Sequence, residues 1–483
     1  MNNAGSARVD LLIHAADAGP TYLSWILLQQ PFTQNAERLD ADVLNTALGS
    51  LESALITLSG GDEQTVQKTV QQVLTDGPFA DQSAERELSR ELTQSVLPPR
   101  LRELIRDLHE QDVALRLRIT PSPRLAQIPW ELLCVDEGED LVEPRRLVEI
   151  AEIVLDPPVT VHADRSRLPR PWSEVKTFPA LHIIDPLLPA SAHSAGYGQT
   201  IPNDSHLVHV IGNDPTTVRG DGFPVLRDEV SRLDLSRCLL EVPEISRLLY
   251  FGHISSSSDE PGSASLHLSD VYWSGPRADH EPNDVWGMSE PVRPSSEQGY
   301  AHSAQPGNHM PLSALDLLLG TSLAQDPEAH HLYGFDDPTL GHQLWPMPSR
   351  VALVACEGGV DYRSAETFGL VMAMIDAGAE LITTTRWPLP TDHAFATLTQ
   401  PPRPPNDSGP SSGPTTELAL AVDSAHRHED AVASLRQWQL NKLRRWRTSG
   451  DIADTPLLWA SLSTTVAPAR PDALTPTEGG DPA

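Results

Sequence analysis

Hydrophobic positions change period several times along the chain, and each change predicts an element. Val9 to Ile13 is a short apolar run that reads as a strand, and Ala41 to Leu58 has helical spacing. Leu101, Leu104, Ile105 and Leu108 share one helical face behind Pro98-Pro99, a pair suited to a helix start. Val113, Leu115, Leu117 and Ile119 then alternate with Ala114, Arg116 and Arg118, the period of a strand with one buried face. Leu125 to Leu133 is apolar but interrupted by Pro129, which predicts a strand turning into a helix with Trp130 plugging the core.

The polar, proline-bearing stretch from Asp156 to Pro171 makes a boundary. Beyond it, Ala180 to Asp185 and Leu207 to Ile211 read as strands, Asp228 to Leu240 as a helix, and Leu248 to His253 and Val351 to Cys356 as strands. Such alternation predicts an α/β fold, parallel strands joined by crossover helices. The last two runs are continuously apolar, as expected of central strands covered on both faces. After Cys356, Ser364 is a natural helix cap and Glu366 suits the positive helix end. Phe368, Val371, Met372 and Ile375 form the apolar face of that helix, Gly378 closes it, and Leu381 to Thr385 is a β-branched strand. A basic helix spans Asp430 to Arg447, carrying Arg436, Lys442, Arg444, Arg445 and Arg447, with Val432, Leu435 and Leu443 facing inward. The resulting division is an N-terminal part (1–160), a second part (161–466) with loop insertions near 255–309 and 400–414, and a disordered tail (467–483).

Charge narrows the partners. Among 483 residues, 66 acidic against 35 basic give a net charge of −31, which repels a phosphate backbone, and no Lys/Arg stripe counters it. Nucleic acid is therefore not an expected ligand, whereas basic protein segments are compatible with such a field. No apolar segment is long enough to cross a bilayer, and the first residues lack a signal-peptide pattern. Cys134, Cys238 and Cys356 are too few and too scattered for a disulfide framework or a paired-thiol zinc site. These features predict a cytoplasmic protein with no membrane partner and no cofactor. His330, His331 and His342 match no metal-ligand spacing and read as a solvated loop. Asp361 and Asp392 read as surface positions, with a pocket for a basic side chain as their alternative.

The chemistry concentrates at two strand ends. In an open parallel sheet, reactive groups gather beyond the carboxyl ends of the strands, so neighbouring strands ending in His253 and Cys356 would bring an imidazole beside a thiol. A free thiol has a pKa of about 8.5, and an imidazole raises its nucleophilicity by taking its proton or pairing with the thiolate. Gly358 and Gly359 would let the chain turn tightly after the strand. Taken singly, a cysteine ending an apolar strand is ordinarily a small buried hydrophobe and a strand-end histidine a satisfied core group. Cys134 and Cys238 keep that plain reading.

Several short motifs, in order, resemble the CHAT domain, a branch of the caspase-like cysteine peptidases, over most of the chain. They are Ile128 to Leu133 around Pro129-Trp130-Glu131, Leu181 to Pro186, Pro311 to Asp316, Ala355-Cys356-Glu357-Gly358-Gly359, Glu366 to Leu370 through Gly378, Arg386-Trp387-Pro388-Leu389, and Pro456 to Ala460. The resemblance implies a caspase-like α/β sandwich with a mostly parallel sheet, preceded by an α+β N-terminal subdomain. It implies His253 as acid/base, Cys356 as nucleophile, the backbone N–H groups of Ile254 and Cys356 as oxyanion donors, and Glu357, Gly358 and Gly359 as the nucleophile loop, with no metal. The implied activity is that of an endopeptidase acting on a protein substrate, switched on by a partner or signal, in a signalling or defence setting. Two departures stand out: Ile254 replaces the family's usual glycine, and the serine-rich insertion after it has no counterpart. Val354, two residues before the cysteine, offers no acid to fix a basic cleavage preference. The alternative is a CHAT scaffold or effector that acts by protein–protein interaction. A small-molecule-binding domain would need a glycine-rich phosphate loop, and none has the expected form.

Overall fold

The computed structural model describes residues 8–29, 34–56, 63–136, 143–158, 161, 165–194, 198–202, 205–218, 228–241, 244–255, 262–273, 284–286, 307–322, 324, 326–355, 367–398 and 412–467. In chain order its strands are β1 (Val9–Asp17), β2 (Thr21–Leu27), β3 (Asn35–Arg38), β4 (Leu115–Thr120), β5 (Ala151–Leu155), β6 (Ala180–Ile184), β7 (Arg247–Gly252), β8 (Ile254–Ser255), β9 (Ser265–Leu266), β10 (Val271–Trp273), β11 (Asp284–Trp286), β12 (Leu312–Ser313), β13 (Arg350–Ala355), β14 (Leu381–Thr385) and β15 (Leu462–Val466).

Ten of these form one mixed, mostly parallel sheet in the order β3-β2-β1-β4-β5-β15-β14-β13-β7-β6, so the fold is α/β as predicted. The sheet runs without interruption across the boundary predicted near residue 160. It contains two parallel blocks. β1, β4, β5 and β15 run one way. β6, β7, β13 and β14 run the other, and the antiparallel pairing of β14 with β15 is the seam. All four strands of the second block therefore end on one edge, where Asp185, His253 and Arg386 follow β6, β7 and β14.

The continuously apolar strands are buried on both faces. Leu249 and Phe251 of β7, with Ala352 and Val354 of β13, join one core cluster, which also holds Leu51, Leu92 and Trp130. Leu248 and Tyr250, with Val351, Leu353 and Ala355, join a second cluster, which holds Leu317, Leu370 and Met374. Alternate residues of each strand thus serve opposite layers, which is why no polar positions interrupt the runs. In β4, by contrast, Leu115, Leu117 and Ile119 are buried while Arg116 and Arg118 face outward, the alternation predicted.

Three expectations change. Leu207 to Ile211 is not a strand but part of a helix, His206–Asn213, with the Ser205 side chain capping the Leu207 N–H. A short apolar run fits either period, and Leu207 and Ile211, four apart and both buried, match the helical one. Leu125 to Leu133 forms two 3₁₀ turns, Pro123–Leu125 and Trp130–Leu132, rather than a helix, although Trp130 does plug the core. The loop expected over 255–309 contains core: β8, β9 and β12 pair into a small antiparallel sheet, and His267, Leu268, Asp270 and His309 are buried. Residues 399–411 and 468–483 of the other loop and the tail lie outside the described residues.

The motifs distant in sequence meet at the seam. Arg386 makes a bidentate pair with Glu131 (2.8 and 3.1 Å) and donates to the carbonyls of Ala460 and Leu462 (2.9 and 2.6 Å). The Trp387 indole N–H donates to the Leu457 carbonyl at 2.8 Å. The basic helix, Ala431–Ser449, also braces the two halves. Arg436 donates to the Val148 and Glu149 carbonyls, Arg447 clasps the Glu149 carboxylate, and buried Lys442 pairs with Glu417 and Asp454.

Removing one partner of a buried ion pair strands the other charge. Arg386→Ala or Glu131→Ala is therefore expected to destabilise the fold by about 3–5 kcal/mol, measured as a lower denaturation midpoint in urea.

Candidate active site

Tyr250, Gly252 and His253 form a tight unit at the end of β7. The Tyr250 hydroxyl lies 2.7 Å from the His253 carbonyl and 2.8 Å from that of His267, sharing its proton between them. A Cβ at residue 252 would meet that hydroxyl at 2.9 Å and Pro186 Cδ at 3.3 Å, so the close approach requires glycine. The His253 ring is 3% exposed. Its Nε2 lies 2.6 Å from the Gly198 carbonyl. A carbonyl only accepts, so Nε2 carries the proton of the neutral ring and Nδ1 is its basic nitrogen. Burial lowers the ring's pKa below the usual histidine value, opposed by the Gly198 carbonyl and the Asp185 charge and reinforced by His193. His253 is accordingly neutral near pH 7, the state a base requires.

β13 pairs with β7 in parallel, Ala355 opposite Gly252. His253 and Cys356 are thus the next residues in sequence after a matched pair. Cys356, Glu357, Gly358 and Gly359, together with Asp361, Ser364 and Glu366, lie outside the described residues.

Ile254 is 5% exposed, its side chain in the second core cluster with Leu266 and Leu312. It faces Leu266 across β8 and β9. Because the His267 N–H donates to the His253 carbonyl at 3.1 Å, this is a non-hydrogen-bonded pair, and the Ile254 N–H lies outside that ladder. Sequence reasoning missed what braces this short strand. His309 Nδ1 donates to the Asp270 carbonyl (3.0 Å), which leaves its Nε2 to accept from His267 Nδ1 (3.1 Å), whose Nε2 in turn accepts from the Ser255 hydroxyl (2.8 Å). All three side chains are fully buried. The only signal for them was histidine and serine inside a stretch that composition marks as loop.

The secondary candidates resolve into structure. The Asp392 carboxylate accepts the N–H groups of Thr415 and Thr416 and is buried, which makes it a backbone clamp rather than a surface position. The His330 and His331 rings lie 4.1 Å apart between centroids at a tilt of 55°, His330 buried and His331 exposed, with no third ligand among the described residues. Cys134 and Cys238 are buried, and burial pushes the Cys238 thiol up to about 12. At the amino-terminal edge of the second block, His182, Asp214 and Asp423 converge closely enough to suggest a cation site. Guanidinium groups already fill that role: Arg247 reaches both carboxylates, and Arg427 bridges them from outside. No helix among the described residues is long and apolar enough to cross a membrane.

No protein-family model matches the chain, and no curated protein matches it. Distant structural similarity is found to chains in crystal structures of the Saccharomyces cerevisiae separase–securin complex at 2.6 and 3.0 angstrom resolution. The TM-scores are 0.38 and 0.34, each at 8% identity, with 95% of this chain covered. This chain spans 30% of the length of each of those chains.

The amino-terminal edge predicts an acid sensitivity. Burial first, then the Arg350 charge, lowers His426 from 6.5 to about 3. Between those values the unfolded chain binds a proton that the folded one refuses, so stability is full above pH 6.5 and falls as pH drops toward 3. The slope from this group reaches about 1.4 kcal/mol per pH unit. His426→Gln should remove that share of the slope in denaturant titrations run across this pH range.

Proposed function

We propose that the chain is a CHAT-type cysteine endopeptidase that cleaves a protein substrate through a His253–Cys356 dyad and is switched on by a protein partner. The observation that carries the reading is the parallel register of β7 and β13, with Gly252 opposite Ala355. Continuing the alternation that sends Leu249 and Phe251, and Ala352 and Val354, into one core cluster would carry positions 253 and 356 to a common face. Neutral His253, its Nε2–H taken by Gly198, has Nδ1 available in protonation state to accept the Cys356 proton.

In this reading the Cys356 thiolate bonds to the scissile carbonyl carbon, and the carbonyl π pair moves onto oxygen. The Ile254 and Cys356 N–H groups receive that oxyanion; one such donor is worth about 2.7–4 kcal/mol to the transition state. The tetrahedral species collapses with cleavage of the C–N bond, and protonated His253 gives its proton to the departing amine. Water, deprotonated by His253, then hydrolyses the thioester and regenerates the thiol.

A second reading, a CHAT scaffold without turnover, is favoured by one feature: a buried isoleucine stands where the family has glycine. A peptidyl chloromethyl ketone separates the two. The peptidase reading expects labelling at Cys356, abolished in Cys356→Ala and slowed about 100-fold or more in His253→Ala. Labelling that persists in Cys356→Ala, or is indifferent to His253, refutes the dyad.

Ile254→Gly distinguishes the packing role from the backbone role. It should lower stability by at least about 2 kcal/mol, since a core isoleucine is lost, while labelling per folded molecule holds or rises. A collapse of labelling without a matching loss of fold would count against the oxyanion assignment.

A further inference from the structure

β6 ends beside β7, and the residue after it, Asp185, is built in an unusual way. Its φ is +49°, in the left-handed region, although it precedes Pro186, which favours extended backbone. Aspartate and asparagine tolerate that region better than other non-glycine residues, and such strain tends to be retained where surrounding contacts hold it. Here the contacts are short. The Asp185 N–H donates to the Phe251 carbonyl at 2.6 Å, tying the β6 end to the strand that carries His253. Its carboxylate Oδ1 accepts both the Thr200 N–H (3.0 Å) and the Thr200 hydroxyl (2.7 Å). Asp185 and Thr200 are 5% and 2% exposed. Two residues before Thr200, the Gly198 carbonyl accepts the His253 Nε2–H.

We infer that Asp185 is a positioning residue for His253: through Thr200 it fixes the segment whose Gly198 carbonyl orients the ring, and its negative charge supports the imidazolium. As a statement about catalysis this rests on the dyad reading above, whereas the link between Asp185 and His253 rests on contacts alone. Two residues away from a ring nitrogen, a buried carboxylate acts without touching any reacting atom. It selects the Nε2–H tautomer, which makes Nδ1 the base, and it favours the charged ring that forms once a proton has been taken.

Among the described residues, titratable groups bear on His253 from three sides. Asp185 favours its charged form from the β6 end, and His193, of the helix Ala190–Ser194, disfavours it. His267, beyond β9, meets it edge-on at 6.3 Å between ring centroids, and the two rings oppose each other's protonation. Cys356 is the fourth group in the proposed dyad. Asp185 is the only anion among the described members of this set, so its removal has a definite sign.

The test uses the full chain with ¹⁵N-labelled histidine, the His253 signals being those absent from His253→Gln. Asp185→Asn keeps an acceptor for Thr200 and tolerates the positive φ, so the fold is retained while the charge is lost. The expected result is an unchanged Nε2–H tautomer and a His253 titration midpoint lowered by about one pH unit. Thr200→Val should instead weaken the Nε2–H tautomer signature, and Thr200→Ser should restore it. A His253 midpoint that stays or rises in Asp185→Asn, with a tautomer indifferent to Thr200→Val, overturns the inference. The pH profile of Cys356 alkylation by iodoacetamide reads the dyad separately, its acid limb moving to lower pH in Asp185→Asn. If the parent's Cys356 reacts no faster than free cysteine while the titration shift is present, the peptidase reading fails and the Asp185–His253 coupling stands.

Discussion

The Arg386–Glu131 pair is the constraint on which the arrangement of the second block depends. A buried guanidinium has five N–H donors to satisfy, and leaving them without acceptors is far costlier than the net gain from any one bond. Arg386 is the first residue after β14, and its acceptors come from the 3₁₀ turn at Trp130–Leu132 and from the carbonyls flanking the start of β15. No sliding of β14 against β15 is compatible with all of them. The seam between two oppositely directed parallel blocks is therefore held in one register by a polar contact. β13, β7 and β6 are aligned on β14 in turn.

That alignment separates the two edges of the second block by chemical role. At the amino-terminal edge, strand-opening arginines act as structural cations. Arg247 binds Asp423, and Arg350 lies over Trp172 at 3.6 Å and donates to the carbonyls of His426, His428 and Glu429 just past the Pro414–Ala425 helix. Cations suit a helix carboxyl end, where carbonyls lack intrahelical partners. The opposite edge carries an aspartate, a histidine and an arginine as strand-following residues, with a cysteine at the corresponding sequence position of β13. Charge is locked by multiple bonds at one edge. At the other, the ring of a neutral histidine is oriented by the Gly198 carbonyl.

How much of this was legible followed from which physical signal each element carries. β7 and β13 were readable because burial on both faces leaves an unbroken apolar run, and β4 because burial on one face leaves alternation. The helix at Leu207–Ile211 was misread because five apolar-rich residues fit both periods, and the decisive cap, Ser205, is one common residue. The buried sheet of β8, β9 and β12 was hidden by composition: Ser255, Ser265, His267 and Ser269 look like loop, yet their side chains satisfy one another or nearby carbonyls away from solvent. Pairing between distant residues is also invisible to periodicity. Glu131 and Arg386 stood in recognisable motifs, but only the fold puts them in contact, and Asp185 was read merely as the end of a strand.

The electrostatics of His253 bear on how a dyad at this edge would rest. Burial favours the neutral ring, and an isolated thiol of pKa about 8.5 favours its protonated form, so the resting pair would be imidazole and thiol rather than an ion pair. Nucleophilicity would then be generated only as the thiol proton moves to Nδ1, a step that charges a ring in a desolvated site. Asp185 lowers the cost of that charge while His193 and His267 raise it. The balance among these three groups, rather than the identity of the dyad alone, would set how readily such a centre turns over, and it is adjustable by any contact that moves the Gly198–Thr200 segment.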